Sequence, residues 1–446
     1  MTVFDLIIIG AGPGGYVSAV KAAKLGLKVA VVEKNQLGGT CLNVGCIPSK
    51  TYLQHSHWLQ SATTAAEFGI QLKVEKIDFE KLVDHKNQVV TQLQSGVQFL
   101  FKKYHVTLIT GTAQVLSATQ VKVQDKVYQT KNVLLTTGSA PFVPPIKNLD
   151  QVAYLTTDTF FNLKALPKRL VIIGGGVIAV ELAFAMAPLG VDVTLLEVAP
   201  DILLTEDLEA RALMKQRLQQ LKINTHIKVQ IEQVTSDAVV LTDGTQYPFD
   251  QLLVATGRRA DLTLAKALNL KLDERQRFIQ VDAHYQTSVP HIYAAGDAIG
   301  GLMLAHVASA EAIKAVLAIA GQPQQPVDDN LVPRCLYTTP EVASFGLTAE
   351  AAENQGYSVK VVKLPLTGNG RALASVNTTG FVKLISETKY HQILGAVIVS
   401  DGATEMIHTL LSLCTAEGTL DELMQTIFAH PTFSELIHDA AENSLT

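Results

Sequence analysis

VFDLIIIGAGPGGYVSAVKAAKLGLKVAVVE, residues 3 to 33, decides the fold of this chain. Residues 3–9 are an apolar, β-branched run suited to a strand buried on both faces. Gly10, Gly12 and Gly15 follow directly, then an alanine-rich helical stretch and a second apolar run that ends on Glu33. Strand, glycine turn, helix, strand and terminal acid stand in the order of a dinucleotide-binding unit. The glycines allow the turn, close approach of backbone to a pyrophosphate, and tight packing of helix on strand. Glu33 is placed to bind ribose hydroxyls.

A second copy, RLVIIGGGVIAVELAFAMAPLGVDVTLLE, begins at Arg169, with Gly174, Gly176 and Ala179 at the glycine positions and Glu197 at the strand end. Ala179 replaces the third glycine, which concerns helix packing rather than phosphate contact. The Glu197 carboxylate accepts from both ribose hydroxyls and repels a 2'-phosphate. The following VAPDILLTED offers no arginine or lysine to neutralise one, so NAD is expected over NADP.

Between the two units lies GGTCLNVGCIPSK, residues 38–50, with Cys41 and Cys46, two of only four cysteines. Two thiols that close exchange two electrons as a disulfide. The segment is expected to open a helix with Gly39 or Thr40 near its cap, where a helix N-terminus lowers thiol pKa. Residues five apart on a regular helix have Cα atoms roughly 8 to 9 Å apart, and a disulfide wants them within roughly 7 Å. A distorted helix is therefore expected, eased by Gly45 and Pro48. The competing reading is a structural pair or half a metal site. Zinc sites use shorter spacings and more ligands, and Cys335 and Cys414 are isolated, so no metal is expected.

With 446 residues the chain is too long for one ordinary core. Hydrophobic residues make up 48% and the net charge is −5, which gives no reason to expect nucleic acid or an anionic membrane as partner. Few cysteines exclude a secreted disulfide scaffold, and the first strand begins almost at once without a leader, so a cytoplasmic location is expected. The apolar stretch 171–190 tempts a membrane reading, but its three consecutive glycines and Glu181 place it inside a protein core.

Residues 51–68 continue as helix or loop, with His55 and His57 read as surface or packing residues, and 79–104 as a long amphipathic helix. VTLITGTAQVL, VKVQDKVYQ and NVLLTTGSAP read as a β-meander rejoining the first sheet, ending at Thr137, Gly138 and Ser139. Residues 223–254 are strand-rich and end in LLVATGRRAD, parallel in form to LLTTGSAP. HIYAAGDAIGG sets Asp297 after a short strand, where an acid bonds the ribityl or ribose part of a dinucleotide. A helix follows from Ala305, then a Pro/Gln-rich linker and a mixed α+β region. In the final AHPTFSEL, His430 precedes a proline and Glu435 opens the last helix; an imidazole held by a carboxylate is a positioned acid/base, or a structural cap.

Through GAGPGG, GGTCLNVGCIPSK, GGGVIAVELA, YAAGDAIGGLMLAH, YTTPEVASFGLT, GFVKLI and AHPTFSE the chain resembles, nearly end to end, the FAD-dependent pyridine nucleotide disulfide oxidoreductases. The resemblance implies an α/β fold of two Rossmann-like dinucleotide-binding domains plus a C-terminal α+β dimerisation domain. The expected parts are 1–142 for FAD, 143–262 for NAD, 263–329 completing the FAD region and 330–446 for dimerisation.

It implies that Cys46 is the charge-transfer thiolate nearer the flavin and Cys41 the interchange thiol. His430 moves the thiol proton from the neighbouring subunit of a homodimer, Glu435 orients it, and Lys50 sits by the flavin paired with Glu181. The expected cofactor contacts include Gly39, Thr40, Lys50, Ala113, Ser139, Asp297 and Ala305 on the FAD side. Ile178, Glu181, Val229 and Gly257 join the NAD side. The activity implied is oxidation of dihydrolipoyl groups with reduction of NAD, with lipoyl-bearing subunits of a 2-oxo acid dehydrogenase complex or a glycine cleavage system as partners. The alternatives are a glutathione-reductase-like enzyme, which Glu197 disfavours, a mercuric reductase, which would need a second cysteine pair, and a structural flavoprotein subunit.

Overall fold

The computed structural model describes residues 3–446. β1 (Val3–Ile9), α1 (Pro13–Lys24) and β2 (Val29–Glu33) follow the glycine pattern. β1 lies between two parallel neighbours, which is why its run of isoleucines is buried on both faces. Burial of each such side chain contributes about 1.5–3 kcal/mol. Gly10 has φ +103°, and a Cβ on Gly15 would stand 1.9 Å from the Gly10 carbonyl oxygen, so α1 sits closer to the strand end than any side chain allows.

α2 (Gly39–Val44), α3 (Cys46–Glu67) and α4 (Phe79–Lys103) come next, followed by β3 (Thr107–Thr110), β4 (Ala113–Ser117), β5 (Gln120–Val123), β6 (Lys126–Leu135) and β7 (Ser139–Pro141). The sheet order is β3-β2-β1-β6-β5-β4. One expectation is corrected here. VTLITGTAQVL is not one run of a meander: β3 pairs in parallel with β2, while β4 starts the antiparallel meander at the other end of the sheet. The break is at Gly111, whose φ of +141° turns the chain away.

The second unit holds β8 (Leu155–Thr156), β9 (Arg169–Ile173), α5 (Val177–Met186), β10 (Asp192–Leu196), α6 (Leu208–Gln220) and β11 (Asn224–His226). The meander β12 (Ile231–Val234), β13 (Ala238–Leu241) and β14 (Gln246–Pro248) leads to β15 (Gln251–Val254). The parallel sheet runs β11-β10-β9-β15-β8. α5 is buried from Ala179 to Met186, which accounts for the apolar stretch at 171–190. β16 (Arg258–Ala260) pairs antiparallel with β7, joining the ends of the two units.

After α7 (Thr263–Ala267) the chain returns to the first sheet: β17 (Ile292–Ala294) pairs with β6, and α8 (Ala305–Ile319) packs on α1. The C-terminal region has β18 (Arg334–Leu336), β19 (Glu341–Gly346), α9 (Ala349–Asn354), β20 (Val359–Pro365), α10 (Gly370–Ala374), β21 (Phe381–Glu387), β22 (Ile393–Ser400), α11 (Ala403–Thr415), α12 (Leu420–Gln425) and α13 (Glu435–Leu445).

Its antiparallel sheet runs β18-β19-β22-β21-β20, and its inner strands β21 and β22 are buried on both faces. Val342, Phe381, Val397 and Val399 pack toward α5 and its neighbours, while the alternating Ala343, Val382, Ala396 and Ile398 pack under α11 and α13. Among the described residues no helix is long and apolar enough to cross a membrane.

Candidate active site

The conflict between helical geometry and cysteine spacing is resolved by a break. α2 ends at Val44, Gly45 takes φ −136° and ψ −112°, and α3 starts at Cys46. A Cβ on Gly45 would come within 2.9 Å of the Thr40 carbonyl oxygen. The expected distortion is thus a full interruption, with Gly38 rather than Gly39 or Thr40 at the cap of α2.

Both cysteines are free thiols in hydrogen-bond contact. Their proton affinities move in opposite directions, whereas a helix N-terminus alone lowers thiol pKa. The bond from the Cys41 thiol lowers Cys46 to about 7, the Lys50 ammonium adds to the effect, and burial opposes it. Cys41, which supplies the shared proton and is itself partly buried, is pushed far up. Of the two thiols, Cys46 is the one that loses its proton more readily.

Lys50 lies one turn along α3 from Cys46. Its Nζ stands 2.7 Å from Glu181 Oε2 on α5 and 4.4 Å from the centre of the Tyr337 ring. The other oxygen of Glu181, which is only 4% exposed, accepts from the Tyr337 amide at 2.9 Å. A carboxylate this deep is tolerable only when paired and hydrogen-bonded. Ser56 Oγ donates to the Ala185 carbonyl, which ties α3 to α5 and fixes this pair in place.

Two cradles stand ready for dinucleotides. Gly12 and Gly176 cap α1 and α5 in extended conformation, and a Cβ on Gly176 would meet nothing within 4 Å, leaving that helix N-terminus open to a phosphate. Glu33 accepts from the amides of Ala11 and Asn35, both at 2.7 Å. Glu197 accepts in the same way from Gly175 at 2.5 Å and Ala199 at 2.7 Å. Each acid is thereby aimed across its own glycine turn. A Cβ at Gly174 would stand 2.3 Å from the Ala255 carbonyl oxygen, while Ala179, with no exposed surface, fills the third-glycine place.

Asp297 Oδ2 accepts from Ser139 Oγ at 2.5 Å, and Ser139 Oγ in turn accepts from Arg258 Nε at 2.8 Å. Arg258 also reaches Asp158 at 2.8 Å and Thr40 Oγ1 at 3.4 Å. Arg258 was not among the expected site residues. The signal was the matched form of LLTTGSAP and LLVATGRRAD, whose ends pair as β7 and β16.

Thr137 Oγ1 donates to the Asp261 carbonyl, and Gly138 takes φ +71° beside it. Ala113 is buried at the start of β4, Ala305 opens α8, and Ile178 is exposed in the first turn of α5. The Val229 amide donates to the Glu197 carbonyl, and the Gly257 carbonyl accepts from Phe142.

His430 sits apart, 78% exposed, with Nδ1 2.9 Å from Glu435 Oε1. The other Glu435 oxygen accepts from the Thr432 amide at 2.8 Å, and these two bonds hold the carboxyl below its usual range. Within one protomer nothing among the described residues joins His430 to Cys41 or Cys46. Ile427, 96% exposed, marks the same loop as a surface left uncovered by the single chain. His55 is a packing residue, as one of its two expected readings had it: it is buried, and its Nε2 lies 2.8 Å from His85 Nδ1 on α4, a partner that its neighbourhood in sequence does not reveal. Among the described residues no group of three or more His, Cys, Asp or Glu side chains is arranged to hold a metal.

Residues 4–312 match the pyridine nucleotide-disulphide oxidoreductase model, and residues 332–441 match the dimerisation domain of the same family. The chain is 38% identical to a dihydrolipoyl dehydrogenase of Bacillus subtilis, covering 99% of this chain and 98% of that one. It is 37% identical to a dihydrolipoyl dehydrogenase of Zymomonas mobilis, over 98% and 97%. Among solved structures it is similar to LpdA of Mycobacterium tuberculosis, at TM-score 0.91 and 25% identity over 99% of both chains. It is also similar to the HOCl-induced flavoprotein disulfide reductase RclA of Escherichia coli, at TM-score 0.87 and 28% identity over 98% and 99%. With these matches over its full length, the chain belongs to the pyridine nucleotide-disulphide oxidoreductase family and carries the family's dimerisation domain at its C-terminal end.

Proposed function

We propose that this protein is a dihydrolipoyl dehydrogenase: it oxidises dihydrolipoyl groups through the Cys41/Cys46 pair and passes the electrons by way of FAD to NAD. The observation that carries this reading is the cysteine pair itself, with Cys46 held as thiolate by Cys41 and Lys50 beside two dinucleotide cradles. Residues 1–142 with 263–329 are read as the FAD region, 143–262 as the NAD region and 330–446 as the dimerisation domain.

In the oxidised protein a dihydrolipoyl thiolate attacks Cys41 Sγ. A substrate–Cys41 disulfide forms, the Cys41–Cys46 bond breaks, and Cys46 leaves as the thiolate its surroundings favour. The second substrate thiol then displaces Cys41, which takes a proton; the substrate leaves as a cyclic disulfide and the protein holds both cysteines reduced. His430 of the partner subunit takes the proton of the attacking thiol and keeps it, while the proton of the second thiol passes to Cys41; Glu435 fixes the imidazole by its Nδ1. The chemistry that bound FAD supplies is a two-electron relay from this dithiol to the nicotinamide. Lys50, held in place by its ion pair with Glu181, keeps its ammonium near Cys46 while the thiolate persists.

Lipoyl-bearing subunits of a 2-oxo acid dehydrogenase complex or a glycine cleavage system are the proposed partners. A dithiol cycled at every turnover suits a reducing, cytoplasmic compartment. The uncovered face around Ile427 and the dimerisation domain support the homodimer that would carry His430 to the cysteines. Glu197 supports NAD over NADP, and with it disfavours a glutathione-reductase-like reading.

Purified protein should be yellow and should reduce NAD with dihydrolipoamide, and NADP far more slowly. A colourless, flavin-free folded protein, or one that prefers NADP, contradicts the proposal. The half-reduced protein should also show a long-wavelength band from the Cys46 thiolate. That band fades as pH falls through about 7, where the thiolate takes up its proton, and Lys50→Met moves the loss to higher pH. A titration unmoved in the variant counts against the role of Lys50.

A further inference from the structure

We infer that Glu311, on α8, is a positioning residue for the flavin: it holds the Gly296–Ala298 turn so that Asp297 is presented to the cofactor. This rests on the reading of the first unit as the FAD site. Glu311 is 7% exposed and has no cationic partner among the described residues, yet its Oε2 accepts from the Gly296 amide at 2.7 Å. Isolated carboxylates are costly to bury, and a single amide bond offsets only part of that cost. Burial, with Asp329 and Asp297 adding to it, moves the carboxyl up to about 7.

The geometry explains what the acid does there. Gly296 has φ +74°, and a Cβ on it would stand 2.9 Å from the Ala308 Cβ, one turn before Glu311 on the same helix. A Cβ on Gly14 would stand 3.0 Å from the Ala308 carbonyl oxygen, so α8 packs closely against both α1 and the turn. The bond from Gly296 therefore ties the turn's first amide to a closely packed helix. The next residue, Asp297, has one oxygen engaged by Ser139, which Arg258 in turn holds. Asp297 is thus braced from two directions, through its backbone by Glu311 and through its side chain by Ser139.

The test is FAD affinity, measured by titrating the apoprotein with FAD. Glu311→Ala should raise the Kd by about tenfold or more, the range for a lost hydrogen bond to a charged group. Glu311→Gln, which keeps an oxygen acceptor, should stay within about threefold of the native chain. Because Glu311 acts through Asp297, the losses from Glu311→Ala and Asp297→Ala should fall well short of additive in the double variant. Native affinity in Glu311→Ala, failure of glutamine to rescue, or full additivity each overturns the inference. If the alanine chain does not fold, hydrogen exchange of the native holoprotein decides. Slow exchange at residues 295–299 supports the inference, and exchange as fast as in the exposed 321–328 linker overturns it. A native protein that binds no FAD fails at the earlier reading instead.

Discussion

Cys46→Ser lowers NAD reduction by dihydrolipoamide on the order of 10⁴-fold or more, the scale on which enzymes lose activity with their nucleophile. No disulfide forms with one thiol, and the serine hydroxyl, far less acidic than a thiol, supplies no comparable leaving group to the exchange. The Cys41 thiol also loses the acceptor that raises its proton affinity. Oxidation of NADH by a small artificial acceptor, which needs no cysteine, should survive within about tenfold. Steady-state assays of both reactions on one preparation check the split. A variant that keeps one hundredth or more of its dihydrolipoamide activity contradicts the relay.

His430→Ala has the next largest expected effect, a loss of about 10²- to 10⁴-fold in turnover with dihydrolipoamide, the usual contribution of a positioned acid/base. The artificial-acceptor reaction should again change little. The structure shows why the residue is poised: Glu435 is itself held by the Thr432 amide, so the imidazole keeps one orientation although it is exposed in the protomer. Equal losses in the two reactions remove His430 from the thiol half of the cycle. Mixing His430→Ala chains with Cys46→Ser chains checks where the histidine acts. Mixed dimers regain a site only if each active centre takes its histidine from the other subunit.

Much of the fold is legible in residues 3–33 and 169–197, where a strand period, a glycine turn and a helical stretch follow each other without interruption. The broken helix at Gly45 is legible for a different reason: five-residue spacing and disulfide geometry are incompatible, so something must give. Contacts made across long stretches of chain are hidden. Arg258 gathers Ser139, Asp158 and Thr40, none of them near it in sequence, and His55 meets His85 only because α3 and α4 fold back on each other. Gly111 is a single residue inside an apolar run, and nothing local tells that it sends β3 and β4 to opposite ends of a sheet. The opposite shifts of the two thiols were hidden as well, since they follow from which sulfur donates and where Lys50 lies.

The most direct measurement mixes oxidised protein with one equivalent of dihydrolipoamide without oxygen or NAD, quenches in acid, and maps newly alkylatable cysteines after unfolding. Label appearing at Cys41 and Cys46 together, and disappearing when NAD is added before the quench, is the predicted result. Label at Cys335 or Cys414, or no new label while NAD is still reduced, would contradict the account.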